Sequence, residues 1–217
     1  VFVVELGVAR SRLHHVGAVI DPVFCPGEPG PLPEGVRPGA VVAVTGADDR
    51  KNTERLIRAW SRVPDTARGD RQLVIVCAVD ADTRGRWHHT AHHAGVADSV
   101  VITGSIDDTE LVSLYRSATI GVMPSLEEGF GLPVAESIAC GTPCLCSNVS
   151  SLPEVAGTSE GLFDPYDIMS MAGAISAYLT DAALRDRLMS EQGAGGARWH
   201  PSRVGAQMLA ALSAATP

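Results

Sequence analysis

Two carboxylates, two adjacent cations and a glycine-rich loop are the residues in this sequence best suited to chemistry. Glu128 and Glu136, with seven residues between them, frame the string SLEEGFGLPVAE at residues 125–136. Gly129 and Gly131 bracket Phe130, and Leu132 leads into a helix with Pro133 at its first position, where proline is best tolerated. The free amides of such a helix start, with the helix dipole behind them, form an anion site suited to phosphate. The glycines let the backbone approach a ligand with no side chain in the way. A carboxylate accepts hydrogen bonds in pairs, so each glutamate can hold a vicinal diol of a sugar. The plain alternative is a glycine-rich turn with two solvated acids.

A second cluster is TGADDRKN, residues 45–52. Arg50 offers a planar fork and Lys51 a point charge, and together they can neutralise a diphosphate. The chain holds sixteen arginines and a single lysine, so lysine at 51 points to geometry rather than charge alone. An ordinary solvated pair is the alternative. A third stretch, ITGSIDDTELVSLYRSA at residues 102–118, ends a strand in a glycine and starts an acidic helix.

The elements that must position these residues alternate. Strands are expected at Ala40–Val44, Leu73–Ala78, Ser99–Thr103, Thr119–Met123, Cys144–Ser147 and Gly161–Phe163, most of them apolar runs. Helices are expected at Thr53–Val63 (N-cap Asn52), Thr83–Ala94 (N-cap Asp82), Asp108–Ser117, from Pro133 to Gly141, Asp167–Leu179, Ala182–Gly193 and Ser202–Ser213. The fold class is therefore α/β, a Rossmann-like parallel sheet with helices on both faces. Ligands of such sheets bind beyond the carboxyl ends of the strands, here loops 45–52, 79–82, 104–107, 124–132 and 147–153. Residues 25–39, CPGEPGPLPEGVRPG, read as a linker by composition. The expected organisation is a tail of a preceding domain at 1–24, that linker, a ligand-binding domain at 40–200 and a C-terminal helix at 201–217.

Composition excludes several classes. The 217 residues carry a net charge of −8 with dispersed arginines, which argues against a nucleic-acid partner. No apolar run approaches the roughly 20 residues of a membrane span, and Val1–Leu6 is too short for a signal-peptide core. Five cysteines in a chain this long fit reduced thiols and a cytoplasmic location. With aromatics at 5% and hydrophobic residues at 45%, the core must be built of Ala, Val, Leu and Ile.

PSLEEGFGLPVAESIACGTPC, residues 124–144, resembles the signature P-S-x-x-E-G-F-G-L-P-x-x-E-A-x-A-x-G-x-P-V of the retaining glycosyltransferases of family 4 (glycosyltransferase group 1), with Ser137 for Ala and Cys144 for Val. The resemblance implies the C-terminal, donor-binding half of a GT-B fold. It implies Glu128 on donor-sugar hydroxyls, Glu136 on the ribose, and the Gly129-Phe130-Gly131-Leu132 backbone at the diphosphate. Arg50 and Lys51 carry over from the family's R-K-N variant, beside Gly46, while Ala47 replaces the arginine of its other variant. Thr103, Gly104 and Ile106 would receive the base. VGAVIDPVFCP, residues 16–26, resembles the segment that ends the family's N-terminal domain.

The implied activity is transfer of a hexose from GDP-mannose or a UDP-hexose to a glycan, lipid or small-molecule acceptor with retention, without a metal or other cofactor. The acceptor, and any peripheral membrane association, would belong to the preceding domain, so the isolated chain is expected to be inactive. Rival readings are a non-catalytic nucleotide-sugar-binding domain, a dehydrogenase (which needs G-x-G-x-x-G after its first strand) and a glycosidase using the acid pair.

Other motifs weigh less. His88, His89, His92 and His93 form two i,i+4 pairs on different faces of a helix, more consistent with an exposed polar face than with a metal site. Asp80 and Asp82 make a D-x-D, of which the second is better used as a cap. Asn148-Val149-Ser150 fits a glycosylation acceptor that a cytoplasmic setting makes moot. Cys140, Cys144 and Cys146 read as small hydrophobes, and Trp60, Trp87 and Trp199 as core or domain-contact residues.

Overall fold

Successive side chains of a strand face opposite sides of a sheet, and in this chain both sides are apolar. The computed structural model describes residues 7–14 and 16–215; the hydrophobic start at Val1–Leu6 lies outside them. Six strands, β1 (Val41–Val44), β2 (Leu73–Val76), β3 (Val100–Gly104), β4 (Ile120–Met123), β5 (Cys144–Ser147) and β6 (Leu162–Phe163), form one parallel sheet in the order β3-β2-β1-β4-β5-β6. Val41, Ala43, Leu73 and Ile75 enter one core layer, and Val42, Val74 and Val76 enter the other. Each of these Val, Leu and Ile side chains contributes about 1.5–3 kcal/mol when fully buried.

The first layer is completed by α1 (Thr53–Trp60), α2 (Asp65–Arg68), α3 (Ala81–His93) and α7 (Ile168–Thr180), with Trp60, Trp87 and Tyr178 buried. The second is completed by α4 (Asp108–Ser117), α5 (Leu132–Ala139) and α6 (Leu152–Ala156). Ile20, Phe24 and Trp199 join that second layer, and the Ile20 amide donates to Trp199 O at 3.2 Å. Residues 16–24 thus pack on the sheet domain, and 25–39 run on without helix or strand. Helices α8 (Ala182–Gly195) and α9 (Pro201–Ala215) close the chain. From α8, buried Gln192 pairs with both the amide and the carbonyl of Cys144, at 2.8 and 2.9 Å. It supplies there what a neighbouring strand would, because β6 pairs only from Cys146 onward.

Several boundaries differ from expectation for local reasons. α1 stops at Trp60, ahead of Pro64, which disfavours helix in the residue before it. α2 and α6 were not expected; α6 carries Pro153 in its first turn and takes up part of the 147–153 loop. Asp80, not Asp82, caps α3, accepting the Thr83 amide at 2.7 Å, while Asp82 lies inside the first turn. Pro133 is the second residue of α5 rather than the first. Cys140, Cys144 and Cys146 are buried free thiols, as their apolar surroundings suggested.

Candidate active site

The strand order reverses between β1 and β4, and ligands of such sheets bind in the crevice outside that point. Loop 45–52 leaves β1 and loop 124–131 leaves β4, so the two expected clusters flank one crevice. Hydrogen bonds join them. The Leu126 amide donates to Arg50 O at 2.7 Å, and Asn52 Nδ2 donates to Pro124 O at 2.9 Å and Pro165 O at 2.8 Å. Asn52 has a left-handed backbone, φ 60°, a region asparagine tolerates better than most residues. It stands at the N-cap position of α1, but its side chain does not cap the helix as expected; it staples three loops instead. Arg55 donates to the remaining Asn52 oxygen at 2.9 Å.

Lys51 and Glu128 meet in this crevice. Nζ lies 2.7 Å from Glu128 Oε1, with the side chains only 25% and 12% exposed. The lysine stem runs over Gly46, where an added Cβ would lie 3.3 Å from Lys51 Cγ. Gly46 therefore makes room for the lysine. Arg50 points elsewhere: it is exposed and bonds Asp48, whose carboxyl is held below the usual range by those hydrogen bonds.

Beyond Glu128 the loop enters α5 through Gly131 at φ 100°. The amides of Phe130, Gly131 and Leu132 donate to no protein acceptor among the described residues. A Cβ on Gly131 would sit 2.6 Å from Leu152 Cδ2. Gly131→Ala is therefore expected to cost about 2 kcal/mol, from strained backbone and from the Leu152 overlap. Thermal denaturation checks this, and an unchanged Tm would contradict it.

Glu136 is half-buried one turn into α5. The Tyr115 hydroxyl lies 3.5 Å from its Oε2 and 3.3 Å from Pro133 O. Burial raises the Glu136 carboxyl to about 7, with the Tyr115 hydrogen bond opposing and Asp108 adding to the rise. Thr103, Gly104 and Ile106 stand apart, at the end of β3 with β2 between them and β1. Thr103 Oγ1 donates to Gly104 O at 3.0 Å, Gly104 is left-handed at φ 86°, and Ile106 packs on the second core layer.

Sequence reasoning missed Ser150 and Ser151, which bond the backbone of the Glu128 loop from the turn after β5. Their only signal was the position of that turn at a strand end. Among the described residues there is no group of three or more His, Cys, Asp and Glu able to hold a metal. The four α3 histidines are exposed, with the His89 and His93 rings 4.1 Å apart. No helix among the described residues is long and apolar enough to cross a membrane.

Comparison with known proteins bears on the family and the fold. The family model described as glycosyl transferases group 1 matches residues 33–193. The serotype-specific mannosyltransferase WbdA of Escherichia coli is 35% identical over 144 residues, which are 66% of this chain and 18% of that protein. The MMP alpha-(1->4)-mannosyltransferase of Mycolicibacterium hassiacum is 28% identical over 194 residues, 87% of this chain and 44% of that one. Among solved structures, sucrose-phosphate synthase from Thermosynechococcus elongatus has a TM-score of 0.74 at 27% identity, covering 93% of this chain and 53% of that one. The chain thus spans about half or less of the length of these relatives.

Proposed function

This chain belongs to the group 1 glycosyl transferases, and from that premise we propose that the crevice between β1 and β4 binds the nucleotide-sugar donor of a retaining sugar-transfer reaction. One observation carries this most. Three unpartnered amides at the start of α5 follow closely on Glu128, which is itself ion-paired with Lys51. Such a site suits a dianion attached to a polyol.

The diphosphate would take the amides of Phe130, Gly131 and Leu132 and the Lys51 ammonium, with Arg50 turning in from Asp48. Glu128, freed from Lys51, would accept hydrogen bonds from sugar hydroxyls. Glu136 would hold the ribose, and Thr103, Gly104 and Ile106 would receive the base. As the glycosidic bond breaks, negative charge grows on the leaving phosphate, and fixed donors placed there stabilise it. The cations and the helix start supply this field, so no metal is required of the site. Holding the sugar by Glu128 presents its anomeric carbon to the acceptor hydroxyl. With retention, that hydroxyl attacks from the face the phosphate leaves, and the leaving phosphate helps take its proton. The mannosyltransferase names of the relatives favour a mannosyl donor. The acceptor, a glycan, lipid or small molecule, would be bound by the remainder of a longer protein.

Glu128→Ala is expected to leave nucleoside diphosphate affinity within about twofold and to weaken the sugar-bearing donor about tenfold, the lower end for one hydrogen bond to a charged group. Calorimetry with GDP against GDP-mannose and UDP against UDP-glucose reads both. Equal effects on nucleotide and donor would remove Glu128 from the sugar.

A further inference from the structure

Glu128 is fixed from two sides, and only one of them is its own side chain. Its carboxylate meets Lys51, while its backbone is held by the turn between β5 and α6. The Glu128 amide donates to Ser150 Oγ at 3.0 Å. Ser151 Oγ lies 3.0 Å from Glu128 O and 2.8 Å from Phe130 O, so one hydroxyl hydrogen is shared between two carbonyls of the loop. Directly after them, Leu152 packs beneath Gly131. The turn therefore grips residues 128, 130 and 131 in succession, the span that carries the proposed sugar carboxylate and diphosphate amides. Ser150 is held at φ 51°, one of two non-glycine residues with positive φ among those described; the other is Asn52, in the opposite wall of the crevice. Backbone strain of this kind persists where surrounding contacts over-determine it.

We propose that Ser150 and Ser151 are positioning residues of the donor site, setting through the backbone where the Glu128 carboxylate stands relative to Lys51. Discrimination between a sugar-bearing nucleotide and the bare nucleotide then passes through these two hydroxyls. The assignment rests on the donor-site function proposed above. Glu128 lies in a loop with glycines at 129 and 131, and among the described residues the Ser150 and Ser151 hydroxyls are the only partners of its amide and its carbonyl. Losing one such bond lets the carboxylate sample other positions, and a contact that needs a fixed carboxylate weakens accordingly.

The test is a double-mutant cycle read as the ratio of donor to nucleotide affinity, using GDP-mannose with GDP and UDP-glucose with UDP. Ser151→Ala removes the shared hydrogen. Ser150→Gly removes the other hydroxyl while keeping a residue at ease with positive φ. Each is expected to lower the ratio about three- to tenfold, the value of one hydrogen bond, and Ser151→Thr, which keeps the hydroxyl, to restore it. In combination with Glu128→Gln, Ser151→Ala is expected to add nothing further, because it acts through that carboxylate. Thermal denaturation runs alongside, since a role confined to folding would lower Tm and leave the ratio intact. Losses that add to those of Glu128→Gln, or an unchanged ratio in a chain that does discriminate, overturn this proposal alone. A chain that binds none of the four ligands overturns it together with the donor site.

Discussion

Lys51→Ala is expected to weaken nucleoside diphosphate binding about 50-fold, the value of a charge-assisted hydrogen bond in a partly dry crevice, while leaving the nucleoside alone unaffected. The geometry around Lys51 is the reason to expect the loss there. Lys51 is only 25% exposed, and its stem lies over Gly46, so the ammonium is delivered to one place. Donor binding would exchange its single ion pair with Glu128 for contacts to the diphosphate, releasing the carboxylate to the sugar. Lys51→Arg is expected to recover little, because the guanidinium is broader than the point charge it replaces. Calorimetry with GDP against guanosine, and with UDP against uridine, gives the answer. Equal losses on diphosphate and nucleoside would take phosphate away from Lys51.

The second large effect falls on stability and depends on pH. The folded protein holds the Glu136 carboxyl at about 7, against 4.5 for an ordinary glutamate. Between those values the folded state keeps a proton that the unfolded chain has lost, so stability falls as pH rises from 4.5 to 7 and levels off above. Below 4.5 both states are protonated and the effect vanishes. Glu136→Gln, which keeps the shape and removes the charge, is expected to match the parent at pH 4 and to exceed it by up to about 3 kcal/mol at pH 8. Denaturant unfolding at both pH values measures this. A stability gain that is the same at both pH values would contradict a buried, ionising Glu136. The same variant should bind nucleotide more weakly, since a ribose diol is held better by a carboxylate than by an amide. Stability given up at neutral pH for a ligand contact is a common feature of binding sites.

Much of the fold was legible in the sequence because its signal is local. Buried runs such as Val41–Val44 and Leu73–Val76 announce strands covered on both faces, and the glycines and prolines between elements mark their ends. The glycine-rich entry into α5 at residues 124–132 was legible for the same reason. What was not legible depends on neighbours distant in sequence. Asn52 looked like a helix cap, but its amide is claimed by the carbonyls of Pro124 and Pro165, which only the completed sheet brings near. Asp80 and Asp82 differ by two positions, and where the chain leaves β2 decides which one caps α3. Glu136 was legible as a candidate sugar contact but its burial was not, because Tyr115 of α4 meets it only in the folded chain. The Ser150–Ser151 turn carries no composition signal beyond two small polar residues, since its role is defined by the loop it grips.

The most direct test is titration of the chain with UDP, GDP and dTDP, each with and without Mg²⁺, by isothermal calorimetry. At least one of the three is expected to bind one to one, with an affinity that Mg²⁺ leaves essentially unchanged because Lys51, Arg50 and the α5 amides supply the charge. Absence of binding by all three, in either condition, would contradict a nucleotide-sugar site between β1 and β4.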